Sequence, residues 1–187
     1  MPPRQQLGEL EEKARYALHD NTTANSGYIG FLKETARVID GLALANPRIL
    51  DFGSGEHAVL EHLLVEQGIS CVSFDPLYDI GRESLDHTYD VVVACEVVEH
   101  FRDPSREFEL LGRLVKAGGY LIVRTQIRPI ASEFSKWWYK EDPTHIMFYS
   151  VKTMEFVAGL ASGEMRTVGQ KGIWVIRKNA DAGRNQK

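Results

Sequence analysis

The apolar positions of this 187-residue chain fall either in short continuous runs or at intervals of three to four residues. The continuous runs predict buried strands over 48–52, 70–75, 89–95 and 120–125. Between them, helical spacing predicts one helix over 58–67, closed by Gly68, and another over 103–115, stopped at Lys116-Ala117-Gly118-Gly119. A further helix starts after Ser150 as its N-cap. Residues 164–170 and 173–177, joined at Lys171-Gly172, read as a closing pair of strands. Ahead of the first strand, 7–19 predicts a charged amphipathic helix and 20–26 a polar break. Residues 27–42 predict a second helix, with Tyr28, Phe31, Leu32, Val38 and Ile39 available for packing. Strands alternating with helices predict an α/β fold, a Rossmann-like, doubly wound and mostly parallel sheet with helices on both faces. Only thirteen residues separate Pro76 from Asp90, too few for a complete helix-plus-strand unit, so the sheet is expected to be trimmed at that edge.

Composition adds exclusions. The net charge is −4 and no run of basic residues occurs, which argues against a nucleic-acid partner held through phosphates. No apolar stretch approaches the roughly 20 residues that span a bilayer. The first residues lead into polar sequence without the apolar core of a signal peptide. Cys71 and Cys95 both lie in apolar runs and form no metal-type pair, so a reducing, cytoplasmic setting is expected.

The chemistry concentrates at strand ends. The first strand runs into Asp51-Phe52-Gly53-Ser54-Gly55, and twenty residues after Gly55 the second apolar run also ends in a carboxylate, Asp75. Glycines let a chain leaving a parallel strand turn sharply and bring its backbone close to a ligand. Gly53-x-Gly55-x-x-Ala58 alone also fits a relaxed dinucleotide fingerprint. Asp51 separates the two, because a carboxylate beside that turn repels a pyrophosphate but attracts the sulfonium and ammonium of S-adenosylmethionine. Asp75 suits ribose hydroxyls in either case.

Four segments resemble the class I S-adenosylmethionine-dependent methyltransferases. They are Leu50-Asp51-Phe52-Gly53-Ser54-Gly55, Phe74-Asp75-Pro76, the stretch from Tyr89-Asp90 to Glu99-His100, and the stretch from Leu114 to Val123 around Ala117-Gly118-Gly119. The resemblance implies a seven-stranded sheet with one antiparallel strand. It places the methionine moiety over Gly53, Ser54 and Gly55 with Cys95 and Glu96 nearby, and the ribose at Asp75 and Pro76. Residues 46–178 would form this core, 1–45 would supply helices covering the acceptor cleft, and 179–187 would be a disordered tail. Ala117 stands where the family usually has proline. After Pro76 the acidic residue that normally reads adenine has no evident counterpart, leaving Leu77 and Tyr78 as candidates to pack on the base.

Glu96-Val97-Val98-Glu99-His100 follows the Tyr89–Cys95 run. A helical turn starting at Glu96 would bring Glu96, Glu99 and His100 onto one face. Two carboxylates that close need a proton or cation between them. The pattern is similar to that of the ubiquinone-biosynthesis O-methyltransferases and the small-RNA 2′-O-methyltransferases, in which it holds a divalent cation. By that resemblance His145 completes a metal set of Glu96, Glu99, His100 and His145, with Mg²⁺ or another divalent ion. Without a metal, His100 or His145 is the candidate general base, since an unperturbed imidazole alone deprotonates near neutral pH.

On the acceptor side, Phe134-Ser135-Lys136-Trp137-Trp138-Tyr139 sets three aromatics in a row between cations. Such a wall suits a planar or apolar acceptor, and equally a nucleobase with Arg124, Arg128, Lys136 and Lys140 on phosphates. Trp138 and Tyr139, with Tyr28, are the substrate candidates, and His19, Asp20 and Asn21 are further ones. His57 and His62 read as surface positions. The segment from Trp138-Tyr139 through Asp142-Pro143-Thr144-His145 to Phe148-Tyr149-Ser150 resembles a group of short bacterial methyltransferases. The expectation is therefore O-methylation of a small, aromatic acceptor. Two alternatives stand beside it, an RNA 2′-O-methyltransferase and an NAD-dependent enzyme or non-catalytic nucleotide-binding module.

Overall fold

A polar side chain or a glycine marks most element boundaries. In the computed structural model, which describes residues 7–18, 21–168 and 172–180, the chain opens with α1 (Glu9–Tyr16) and α2 (Ser26–Asp40). There follow β1 (Arg48–Phe52), α3 (Val59–Glu66), β2 (Ser70–Phe74), β3 (Tyr89–Cys95), α4 (Pro104–Leu114) and β4 (Val115–Arg124). Then come α5 (Ala131–Phe134), α6 (Val151–Leu160), β5 (Gly163–Val168) and β6 (Ile173–Lys178), with short 3₁₀ turns at Arg82–Asp86, Val98–His100 and Trp138–Glu141. Asn25 Oδ1 caps α2 by accepting from Gly27 N and Tyr28 N, Asp103 caps α4, and Ser150 Oγ caps α6 from Thr153 N, as its position predicts. The first helix, expected over 7–19, ends at Tyr16 with residues 17 and 18 in a turn, while His19 and Asp20, residues 169–171 and the tail from 181 lie outside the described residues.

The sheet order is β2-β1-β3-β4-β6-β5. β1 to β4 run parallel, and β6 is antiparallel to both its neighbours. The described sheet thus has six strands rather than the seven that the resemblance implies, and the strand that is missing is the one at the β2 edge. There, a tight turn is closed by reciprocal backbone bonds between Asp75 and Ile80 at 3.0 and 2.9 Å. The following 3₁₀ turn lies against β2. Ser84 Oγ donates to the Ser73 carbonyl, a Cβ on Gly81 would come 1.9 Å from that oxygen, and the Tyr89 hydroxyl holds the Ser84 carbonyl at 2.9 Å.

β4 also begins earlier than expected. Lys116 to Gly119, expected as a helix stop, belongs to the strand, whose register against β3 shifts between Tyr89 and Val91. Gly118 has φ +75°, and a Cβ on Gly119 would sit 2.8 Å from the Asp90 carbonyl oxygen, so the irregularity needs its glycines.

The strands read as continuous apolar runs because both faces are covered. Ile49, Cys71, Val91, Val93 and Ile122 pack under α2 and α3. Leu50, Phe52, Val92, Ala94, Leu121, Val123 and Trp174 pack on the other side with Phe108 and Leu111 of α4 and Met154 and Val157 of α6. α4 and α6 approach closely at Gly112, where a Cβ would lie 2.6 Å from the Ala161 carbonyl oxygen. The carboxyl ends of β1, β2, β3 and β4 share one rim, the position where open α/β sheets hold their ligands.

Candidate active site

On one side of this rim the β1–α3 turn forms a cradle. Gly53 N and Ser54 N both donate to the Phe74 carbonyl, at 2.7 and 3.2 Å. Gly53 has φ +78°, and a Cβ there would strike Val97 at 2.4 Å. Gly55, at φ +69°, would meet nothing within 4 Å, so the turn borders open space at the place where a ligand backbone would lie. Asp75 ties this turn to the next. Its Oδ2 accepts from Gly55 N at 2.8 Å, and its Oδ1 accepts from Leu77 N and Tyr78 N at 2.9 and 3.2 Å. Pro76 beside it is exposed. Asp51 is 3 % exposed. Burial, followed by the charges of Glu61 and Asp75, pushes its carboxyl up to about 7. The Cys95 thiol is raised well above its ordinary range, first by burial and then by Glu96. Tyr28 of α2 has its phenol raised first by burial and then by the charges of Cys95, Asp51 and Glu96.

The second half is built around Glu96, Glu99, His100 and His145. The helical turn expected from Glu96 does not form there. Glu96 has φ +54°, a left-handed conformation that costs a non-glycine residue on the order of 1 kcal/mol, and the 3₁₀ turn starts only at Val98. Glu99 and His100 still converge on His145, because the Glu99 carbonyl accepts from Ile146 N and Met147 N at 2.9 Å each and pins the 142–149 segment to this turn. Glu99, His100 and His145 each offer a ligand atom within 4.8 Å of the others. Glu96 stands outside that threesome and meets Glu99 through Tyr139. The Tyr139 hydroxyl donates to Glu96 Oε2 at 2.9 Å and lies in hydrogen-bond contact with Glu99 Oε1.

A phenol has one proton, so it serves one of these carboxylates at a time. Burial, followed by the charge of Glu96, pushes the Glu99 carboxyl well above the usual carboxylate range, and burial raises Glu96 as well. Glu96 Oε1 and Glu99 Oε2 are buried without a hydrogen-bond partner among the described residues. Both imidazoles are oriented through Nδ1, His100 on the Thr144 carbonyl at 3.0 Å and His145 on the Tyr139 carbonyl at 2.7 Å. A carbonyl only accepts, so each neutral ring carries its proton on Nδ1 and its lone pair on Nε2. Orphaned carboxylate oxygens beside two imidazoles fixed in that tautomer are a donor set that fits a divalent cation.

An unbroken series of ring contacts leads away from this centre. Tyr16 meets His100 at 5.3 Å between centroids, His100 meets His145 at 5.0 Å, His145 meets Tyr139 at 4.1 Å, and Tyr139 meets Trp138 at 5.4 Å. Tyr139 is buried with its hydroxyl on the carboxylates, whereas Trp138 is 68 % exposed. Trp137, Phe134 and Phe148 pack beside Tyr139 as a cluster. Arg124 is not available to phosphates. It is 2 % exposed, its guanidinium donates to the Phe31 carbonyl, to Thr35 Oγ1 at 3.1 Å and to Glu34 at 2.9 Å, and it lies over the Phe31 ring. Its work is to hold α2 to the sheet. His57 and His62 are exposed, as read from the sequence, and so is Asn21.

Sequence reasoning passed over several residues around the centre. Arg15 Nε and Nη2 both donate to Asp142 Oδ2, at 3.1 and 2.8 Å, and Thr144 N and Oγ1 donate to Asp142 Oδ1. The Asp-x-Thr spacing ahead of His145 is an Asx-type turn signal and was legible. The Arg15 contact spans 127 residues and leaves no local trace.

Comparison with known proteins bears on family and fold. A family profile described as a methyltransferase domain matches residues 10–158. A ubiquinone biosynthesis O-methyltransferase of Vibrio cholerae serotype O1 is 31% identical over 83 residues, covering 44% of this chain and 34% of that protein, so the chain spans about a third of the curated relatives it matches. Among solved structures, the magnesium protoporphyrin IX methyltransferase of Synechocystis PCC 6803 with bound SAH superposes with a TM-score of 0.60 at 14% identity, covering 90% of this chain and 93% of that one. A SAM-dependent methyltransferase from Archaeoglobus fulgidus gives 0.58 at 22% identity, covering 80% and 74%. The profile spans most of the chain, and the solved structures share its fold. This chain therefore belongs to the methyltransferase-domain family and has the fold of S-adenosylmethionine-dependent methyltransferases.

Proposed function

We propose that the chain transfers a methyl group from S-adenosylmethionine to an oxygen of a small acceptor at the Glu96–Glu99–His100–His145 centre, with an aromatic acceptor favoured. The convergence of Glu99, His100 and His145 within 4.8 Å, beside the donor cradle, carries this reading. The name of the Vibrio cholerae relative, an O-methyltransferase, supports it. On the donor side, Asp51 attracts the ammonium and sulfonium, Gly53, Ser54, Gly55, Cys95 and Glu96 line the methionine, and Asp75 and Pro76 take the ribose. Asp75 uses three of its lone-pair directions internally, and a carboxylate offers about four, so room remains for a hydroxyl. Trp138, Tyr139 and Tyr28 bound the acceptor, under helices contributed by residues 1–45.

The methyl–sulfur bond breaks as the methyl–oxygen bond forms, and the electron pair leaves with sulfur. The chain has to position the acceptor in line and remove its proton. His100 or His145, each with an Nε2 lone pair, accepts that proton. A divalent cation held by Glu99, His100 and His145, with Glu96 beside them, supplies Lewis-acid lowering of the hydroxyl pKa when bound. RNA is the weaker acceptor class, because Arg124 is consumed by α2 and the chain carries net charge −4.

Calorimetry of Mn²⁺ and of S-adenosylhomocysteine on the wild type and on Glu99→Gln tests the reading. The expected result is Mn²⁺ affinity reduced at least about tenfold in Glu99→Gln with S-adenosylhomocysteine affinity nearly unchanged. Equal Mn²⁺ affinity in both proteins would overturn the metal assignment and leave the histidines as the base.

A further inference from the structure

The N-terminal helix carries three side chains that reach the site, and two of them converge on one imidazole. The Tyr16 ring sits edge-on to the His100 ring at 5.3 Å and 79°. Arg15 grips Asp142 through two nitrogens, at 2.8 and 3.1 Å. Asp142 in turn holds Thr144 through its amide at 3.0 Å and its hydroxyl at 2.6 Å, and the Thr144 carbonyl receives His100 Nδ1 at 3.0 Å. Lys13, one turn back, lies over the ring of Tyr78, whose amide binds Asp75 on the donor side. The helix is also pinned at its start, where Arg102 donates to the Leu7 carbonyl at 2.8 Å and reaches Glu12.

We propose that Arg15 and Tyr16 are positioning residues of the transfer site. Arg15 acts through Asp142 and Thr144 to fix the tautomer of His100, and Tyr16 fixes the tilt of its ring. This rests on reading His100 as part of the acceptor-side centre. The physical case is that a histidine asked to present Nε2 must have Nδ1 committed, and the acceptor for Nδ1 is a carbonyl in a loop. A loop carbonyl points reliably only if the loop is braced. Asp142 provides the brace with both oxygens, one on Thr144 and one on Arg15, and a planar guanidinium presents two donors in a fixed fork where lysine would present a point charge. Burial works against ionisation of Asp142, yet the bonds from Thr144 and Arg15 hold its carboxyl well below the usual carboxylate range, so the brace stays charged. The Tyr16 phenol is raised above its ordinary range by burial, then by Glu12, Glu99, Asp142 and Asp75, so it remains a neutral ring beside His100. Because Lys13 meets the Asp75–Tyr78 turn on the same helix, donor binding should tighten the setting of His100.

Long-range ¹H–¹⁵N NMR of the histidine side chains reads this directly. It would be run on the wild type, Arg15→Met, Arg15→Lys, Tyr16→Ala and Tyr16→Phe, each with and without S-adenosylhomocysteine. Expected are a single Nδ1–H pattern for His100 in the wild type and a mixture of tautomers in Arg15→Met, only partly restored in Arg15→Lys. A shifted His100 signal is expected in Tyr16→Ala and recovered in Tyr16→Phe. His62, remote and exposed, serves as the internal control and should not change. His100 signals identical to wild type in folded Arg15→Met and Tyr16→Ala would overturn the proposal. The readout is the imidazole itself, so an absence of S-adenosylhomocysteine or metal binding would count against the functional reading while leaving this one to stand or fall separately.

Discussion

Asp51 is sealed at the end of β1 with its carboxyl pushed up to about 7, so its proposed role toward the donor predicts a donor affinity that depends on pH. Its folded pKa lies above its unfolded value, so the ligand-free fold loses stability as pH rises from the ordinary carboxylate range towards 7 and then levels off. The ionised form that costs the fold is the one that, in the proposed role, would attract the donor's ammonium. S-adenosylhomocysteine affinity should therefore rise between pH 6 and pH 8, by about tenfold at most, and Asp51→Asn should bind weakly with a flat profile in the same calorimetric titration. The two cradle glycines make a paired prediction. Gly53→Ala drives a methyl into Val97 and should lower the melting temperature strongly, by about 2 kcal/mol or more in stability. Gly55→Ala, with open space around it, should cost only about 1 kcal/mol in thermal melts while obstructing S-adenosylhomocysteine, so the two losses separate.

At the scale of elements, α4 and α6 show how packing overrules propensity. Alanine is a better helix former than glycine by roughly 1 kcal/mol, yet Gly112→Ala places its methyl 2.6 Å from the Ala161 carbonyl oxygen. Denaturant melts should show Gly112→Ala destabilised by about 1–3 kcal/mol, whereas Gly159→Ala on α6, with nothing within 4 Å, should be neutral or stabilising. The sequence was most legible where one local rule decides an element. Tyr89–Cys95 came out as read because a run buried on both faces has no other home, and Ser150 capped its helix by its side chain alone. It was least legible where a distant contact decides. Lys116 to Gly119 looked like a helix stop until the bulge opposite Asp90 drew it into β4. Glu96 looked like the first residue of a helical turn, and only the left-handed backbone there sends its carboxylate to Tyr139. The centre was half legible for the same reason. Glu99, His100 and His145 could be named from their pattern, but the bracing by Arg15, Asp142 and Thr144 arises from tertiary contacts.

For the whole molecule, the order of strands and helices follows from the alternation of apolar runs. Among the described residues no helix is long and apolar enough to cross a membrane. The missing seventh strand has a consequence beyond the count. In a full sheet β2 would be an interior strand, and here it is the border, with backbone groups facing outward that another chain could pair with. The segment 80–84 lies across that border, and Gly81 is the residue that lets it lie close, since a Cβ there would come 1.9 Å from the Ser73 oxygen. That placement predicts a cover against intermolecular strand pairing. Gly81→Val should lift it, raising hydrogen exchange over 70–74 and bringing concentration-dependent light scattering at temperatures where the wild type stays clear. On that prediction, one glycine is what keeps the border of a trimmed sheet from recruiting a second copy.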